Sequence, residues 1–214
     1  MTKSEIRNEI KTRISALTQN ELKTQSDVIC KAILESRLYT SCTTLLAYMP
    51  LPDEVDITPV IKAALKSGKT VFLPHVFPQT NKMEFYSYDA NTETKTGAFG
   101  IKEPEIDETK NFSNLLKKMS IDEYSPAPHS SNYVDIEEPS QTKMHILILV
   151  PGRAFTKDGR RIGRGKGFYD IYLSNLPNIF DIKKSGVCFS QQLMANLPTT
   201  PDDVMMDRLY CPSI

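Results

Sequence analysis

Ile6, Ile10, Ile14 and Leu17 fall within about 80° of one another on a helical wheel, the mark of a helix with one buried face. Thr18 followed by Glu21 has capping-box spacing, so a second helix is predicted to start there, with Leu22, Ile29 and Ile33 on its buried side. The chain is thus expected to open as a helical hairpin. The run TTLLAYM at 43–49 is short, apolar and bounded by Pro50, which predicts a buried strand. Thr58 and Pro59 start a helix and Gly68 ends it, because proline suits the first helical turn and glycine the residue past the last. TVFLPHVF at 70–77 reads as the next strand. Strand, helix and strand at these lengths make a βαβ unit, which implies a parallel sheet with helices packed on its faces.

MEFYSY at 83–88 alternates as a half-exposed strand does, and TGAFGIKEP after it reads as a turn region. Residues 105–143 mix acids, serines and prolines with one short helical candidate, FSNLLKKM, and are long for a connection inside a compact domain. They are read as a surface insertion. HILILV at 145–150 is the strongest strand signal and is placed at the centre of the sheet; it runs straight into Pro151 and Gly152. A helix with Phe168, Ile171, Tyr172 and Leu176 on its apolar side follows, then a strand near GVCFS and a tail ending DDVMMDRLYCPSI. No internal repeat is present.

Composition narrows the function. At 214 residues the chain suits one α/β domain, 1–214, with a substantial core. The 26 basic side chains balance 26 acidic ones, so general attraction to nucleic acid or an anionic membrane is excluded and any affinity for phosphate must be local. The four cysteines lack C-x-x-C spacing, and His75, His129 and His145 show no ligand spacing with them, which argues against a zinc site. No apolar run has the length of a membrane span or secretory signal. The first helix is basic and amphipathic like a transit peptide, but Glu5 and Glu9 break the acid-poor composition of such peptides. A reduced, cytoplasmic setting is expected.

The local charge sits in GRRIGRGKGFYD, residues 159–170. Gly163, Gly165 and Gly167 allow positive φ and close approach to a ligand, so successive N–H groups can point at one anion. A helix start just beyond adds the positive end of its dipole, and Arg161, Arg164 and Lys166 add full charges suited to phosphate oxygens. The spacing G-x-G-x-G matches neither the P-loop nor the dinucleotide fingerprint. On the residues alone, a phosphate cradle and a solvated surface turn both stand; position after the central strand favours the cradle. Asp170 is equally a magnesium ligand beside phosphate or a first-turn acid complementing the helix dipole.

Six segments carry a wider resemblance: KSEIR at 3–7, YMPLPDEVD at 48–56, MEFYSY through GAFGIKEP, LILVPGRAF at 147–155, GRRIGRGKGFYDIYL at 159–173 and DDVMMD at 202–207. Their spelling and order, over most of the chain, resemble the 5-formyltetrahydrofolate cyclo-ligases, also called methenyltetrahydrofolate synthetases. The resemblance implies a three-layer Rossmann-like sheet with helices on both faces, and an enzyme that uses Mg·ATP to close 5-formyltetrahydrofolate into 5,10-methenyltetrahydrofolate with release of ADP and phosphate. The implied route phosphorylates the formyl oxygen, after which nitrogen 10 attacks and phosphate leaves.

By that resemblance Lys3, Arg7, Arg161, Gly163, Gly165, Lys166, Gly167 and Tyr169 bind ATP. Met49, Glu54, Arg164, Gly165, Lys166, Gly167 and Phe168 contact the folate, and Lys166 and Arg164 are the catalytic pair. Asp170 and Asp203 take Mg²⁺, with Asp202 and Asp207 as alternatives to Asp203. Without the resemblance, Lys3 and Arg7 read as ordinary snorkelling cations, Glu54 as a surface acid at a helix entry and Met49 as core. The implied partners are small molecules, a reduced folate and ATP, with a monomer as the expected assembly. Two departures stand out: Phe168 lies where the family frequently has tyrosine, and Arg153 replaces a usually apolar residue after Pro151 and Gly152, adding a cation near the site.

Overall fold

The structure is a computed structural model describing residues 1–122, 144–177 and 180–212. Helices α1 (Lys3–Ser15) and α2 (Gln19–Leu34) each begin at a complete capping box, Thr2 with Glu5 and Thr18 with Glu21. Each cap contributes about 1 kcal/mol by satisfying N–H groups that the helix leaves open. The expected hairpin opens out: α1 packs against strand β7 (Ala154–Phe155) and the turn at 190–192, and α2 against helices α3 (Arg37–Ser41) and α4 (Thr58–Lys66). Pro59 lies in the first turn of α4, and Gly68 follows that helix with φ of +76°, as their positions predict.

The main sheet has six strands in the order β10 (Arg208–Tyr210), β9 (Asp181–Val187), β6 (His145–Pro151), β1 (Thr44–Leu46), β2 (Thr70–Phe77), β3 (Lys82–Tyr88). All neighbours are parallel except β2 and β3. The run at 145–150 is central, as predicted. Its alternate residues serve both faces: Leu147 and Leu149 meet α1, α2 and α4 through Ile10, Ile33 and Val60, whereas Ile146, Ile148 and Val150 meet α5 (Phe112–Asp122) and α6 (Phe168–Ser174). Each such side chain, buried on folding, contributes roughly 1.5–3 kcal/mol, which is why a wholly apolar run suits only the middle layer. Helices therefore cover both faces.

Three expectations change. The strand after α6, β9, lies at 181–187, earlier than the segment read from 186, and Gly186 is placed where a Cβ would meet the Phe155 ring at 2.6 Å. In α6 the buried residues are Tyr172 and Leu173, while Ile171 is exposed and Leu176 lies beyond the helix. Within the stretch read as a surface insertion, 105–122 is built into the fold: Phe112 and Leu116 are buried, and Asn111 bridges to Tyr86. Residues 123–143 lie outside the described residues. A small antiparallel pair, β4 (Thr94–Thr96) with β5 (Lys102–Pro104), carries Phe99 at its tip, and β7 pairs with β8 (Arg161–Ile162).

Candidate active site

The C-terminal ends of β1, β2 and β6 open onto a cavity of about 440 Å³. That is the size of a small-ligand site, and the position is where parallel sheets expose their strand ends to ligands. Met49, Val76, Phe99 and Phe168 give the cavity apolar wall, and the glycine loop at 163–167 runs along its rim. Gly165 and Gly167 have φ of +108° and +72°, but Gly163 does not enter the left-handed region. Its requirement is space instead, since a Cβ there would lie 2.9 Å from Arg161 Nη1.

One charged group lies on the side of the loop between β1 and α4. The buried Tyr48 hydroxyl donates to the Val55 carbonyl at 2.9 Å, and the Leu51 N–H donates to Glu54 Oε2 at 3.1 Å, which closes this loop on itself. Asp53 and Glu54 are thereby held at the cavity edge. Arg164 donates from Nε to Glu54 Oε1 at 3.0 Å and from Nη2 to Asp53 Oδ1 at 2.5 Å. The other Asp53 oxygen accepts from Arg153 Nη1 at 2.5 Å. Burial pushes the Asp53 carboxyl up, but Arg164 and Arg153 outweigh it and hold the group below its ordinary value.

A second group lies where α1 meets the tail. Lys3 Nζ sits 2.7 and 2.6 Å from the two oxygens of Asp203. Burial raises the Asp203 carboxyl, yet the Lys3 ammonium and the Thr200 N–H bring it below its ordinary value. Arg161 is buried and donates from Nη2 to both oxygens of Asp170, at 3.0 and 2.9 Å, and from Nη1 to the Pro151 carbonyl at 3.1 Å. Its guanidinium lies 5.6 Å from the Tyr169 ring centroid, and its Nε is buried without a partner among the described residues. The Val204 N–H also donates to Asp170 at 3.3 Å, so Asp203 and Asp170 share one corner. Arg7 Nε donates to the Gly163 carbonyl at 2.9 Å and ties α1 to the glycine loop.

The structure gathers the expected residues about this cavity, with particulars that the sequence does not give. Lys3 and Arg7 bond to site groups instead of lying along the surface, and Met49 and Glu54 line the cavity. Asp203 occupies the corner; Asp202 is exposed, and Asp207 accepts from the Lys184 N–H on β9. Asp170 is bonded to Arg161 as well as sitting in the first turn of α6. Tyr169 packs behind Arg161 and against Phe85. Lys166 is exposed and has no hydrogen bond or ion pair among the described residues. Sequence reading missed Asp53, whose acidic neighbour drew the attention, and Phe99, whose ring centroid lies 6.2 Å from that of Phe168. A lone aromatic inside a glycine-flanked turn was the available signal.

Fold and cavity together define an open α/β fold with a cavity at the carboxyl edge of its parallel sheet, the place where enzymes of this architecture take their ligands. The model of the 5-formyltetrahydrofolate cyclo-ligase family matches residues 1–122 and 113–212. The chain belongs to that family and is a ligase. Among curated relatives, the mouse (Mus musculus) 5-formyltetrahydrofolate cyclo-ligase is 27% identical, covering 95% of this chain and 90% of the relative. A probable 5-formyltetrahydrofolate cyclo-ligase of Schizosaccharomyces pombe is 29% identical over 99% of this chain and 96% of its own length. Among solved structures, the NMR structure of Aquifex aeolicus 5,10-methenyltetrahydrofolate synthetase aligns with a TM-score of 0.68 at 26% identity, covering 99% of this chain and 90% of that one. A Mycoplasma pneumoniae synthetase gives 0.66 at 23% identity, with 98% of each chain covered, and supports the fold alone. Among the described residues no helix is long and apolar enough to cross a membrane.

Proposed function

We propose that this protein closes 5-formyltetrahydrofolate into 5,10-methenyltetrahydrofolate at the expense of ATP, releasing ADP and phosphate. The formyl oxygen takes the γ-phosphoryl group, nitrogen 10 attacks the activated carbon, and the carbon–oxygen bond to phosphate breaks. The observation that carries this reading is the course of the glycine loop between two ion-paired groups over one cavity. A loop so placed brings a phosphate and a heterocycle to the same backbone. Such chemistry asks for positioning and charge neutralisation more than for a side-chain nucleophile.

In this reading Lys3, Arg7, Arg161 and Tyr169 form the nucleotide side with the N–H groups of Gly163, Gly165 and Gly167. Met49, Glu54, Arg164 and Phe168 form the folate side. Lys166, at the cavity and unpaired among the described residues, stabilises the charge on the phosphoryl group in transfer. Arg164 meets the folate with Nη1, since its Nε and Nη2 are already engaged with Glu54 and Asp53.

Asp170 and Asp203 are the residues that would hold Mg²⁺. The two carboxylates lie at one corner, Asp203 paired with Lys3 and Asp170 with Arg161, and two carboxylates suit an ion that keeps water and substrate phosphate as its remaining ligands. When bound, the ion neutralises phosphate charge.

Arg153 and the loop's three arginines each have an internal counter-ion: Arg153 pairs with Asp53, Arg160 with Asp158, Arg161 with Asp170, and Arg164 with Asp53 and Glu54. Little charge remains to track a nucleic-acid strand, which supports small-molecule substrates. We place the protein in the cytoplasm as a monomer. The test is near-UV absorbance after mixing protein with 5-formyltetrahydrofolate, Mg²⁺ and ATP, because the methenyl bridge absorbs where the substrate does not. A rise that needs ATP is expected; an equal trace without ATP defeats the reading.

A further inference from the structure

Arg153 is held more tightly than a surface arginine. Its N–H donates to the Ile162 carbonyl at 2.7 Å, and its own carbonyl accepts from the buried Gln192 amide at 3.2 Å. That amide also takes the Gly152 carbonyl at 2.7 Å. The backbone at the end of the central strand is therefore pinned from both sides. The side chain, 13% exposed, lines the cavity, with Nη1 anchored to Asp53 Oδ2. Its Nε and Nη2 have no hydrogen-bond partner among the described residues, and neither atom is buried away from the cavity solvent. An arginine fixed by backbone and carboxylate, with donors left over, is arranged to offer those donors to a ligand at little ordering cost.

Asp53 links this group to the rest of the site. Its two oxygens are divided between Arg153 and Arg164, so one carboxylate sets the spacing of two guanidinium groups on the same wall. All of these contacts belong to the Glu54 side of the glycine loop; none reaches Lys3, Arg161, Asp170 or Asp203.

We propose that Arg153 is a further folate-binding residue, donating from Nε and Nη2 to an acceptor oxygen of the bound substrate, and that Asp53 is a positioning residue acting through Arg153 and Arg164. The inference rests on the folate reading above. Glu54 then accepts from the substrate's N–H groups and Arg153 donates to its carbonyl oxygens, which gives the wall a complementary donor and acceptor pattern.

The experiment measures KM for 5-formyltetrahydrofolate and, separately, for ATP in wild type, Arg153→Leu, Arg153→Lys and Asp53→Asn, with Tm for each. Loss of a charged hydrogen bond to substrate raises the folate KM about 10-fold in Arg153→Leu. Arg153→Lys retains a charge for Asp53 and is expected to fall between. Asp53→Asn keeps both arginines but loosens them, and a rise of about 3- to 5-fold is expected. The ATP KM should stay within about twofold throughout. An unchanged folate KM in Arg153→Leu, or folate and ATP KM values rising together, overturns the role of Arg153. Should Arg153→Leu fail to fold, Arg153→Lys decides by the same comparison; an unchanged Asp53→Asn removes the positioning role. A wild-type protein without turnover defeats the proposed reaction instead, and equal equilibrium affinity of wild type and Arg153→Leu for 5-formyltetrahydrofolate would then overturn this inference on its own.

Discussion

Asp170→Asn separates a structural carboxylate from one that only serves a metal. Arg161 has a side chain only 3% exposed, and both oxygens of Asp170, itself 20% exposed, accept from its Nη2. Asparagine leaves one acceptor oxygen and turns an amide N–H₂ toward the guanidinium, so the buried cation keeps a partner but loses its counter-charge. Among the described residues Arg161 has no other acceptor to turn to, because its Nε is without a partner and Nη1 is already on the Pro151 carbonyl. Removing one member of a buried pair costs about 3–5 kcal/mol, and the retained acceptor brings the expectation to about 2–3 kcal/mol. For a chain of this size that lowers Tm by about 5–10 °C, at about 2–4 °C per kcal/mol. Asp203→Asn breaks a pair that is more open to water, with side-chain exposures of 27% and 18%, and about 1 kcal/mol or less is expected. Thermal unfolding of both variants without ligand is the assay. A Tm for Asp170→Asn within about 2 °C of wild type, or equal losses in the two variants, would refute the argument.

Lys166→Ala should lower turnover by about 100-fold or more with Tm nearly unchanged, because an exposed and unpaired lysine holds no core contact; parallel losses of activity and Tm would count against it. Gly165→Ala forces a side chain into φ of +108° and sets a Cβ 3.4 Å from the Arg7 guanidinium, so it should destabilise by about 1–3 kcal/mol and raise the KM for ATP; calorimetry with a KM unaltered would show that the loop does not meet nucleotide. The carboxyls of Asp53 and Asp203 are depressed in the folded protein, so each contributes stability that is whole above the unfolded value near 3.8 and is lost as pH falls through the lower folded value. Urea unfolding from pH 5 down to pH 2 should therefore show a shallower acid limb in Asp53→Asn than in wild type, and superimposable limbs would exclude that carboxyl as a source.

The central layer was legible because burial on both faces leaves no polar position to confuse the pattern, as in 145–150. Strand β9 was hidden for the opposite reason: DIKKSGV begins polar, and its register depends on Phe155 lying over Gly186, a contact from another part of the chain. Strand β10 is three residues long and forms the edge of the sheet beside β9, which no local periodicity announces. At the site, the glycine loop and the residues named by resemblance are gathered about one cavity, yet their pairing was not readable. Arg161 with Asp170 is separated by nine positions, Arg164 with Asp53 by 111, and only folding brings the latter together. Burial of Phe112 was likewise invisible in a stretch whose composition reads as surface.

The ion pair of Lys3 with Asp203 spans 200 residues of sequence. A chain still being made on the ribosome can form α1 and pair β1, β2, β3 and β6 before that aspartate emerges, so the corner shared by Asp203 and Asp170 is among the last parts to be assembled during synthesis. Translation that stops between the end of β9 and residue 203 gives a polypeptide with its glycine loop and most of its core but without the Asp203 partner of Lys3. Closure of this corner in a cell is therefore timed by completion of the tail and not by folding of the middle of the sheet.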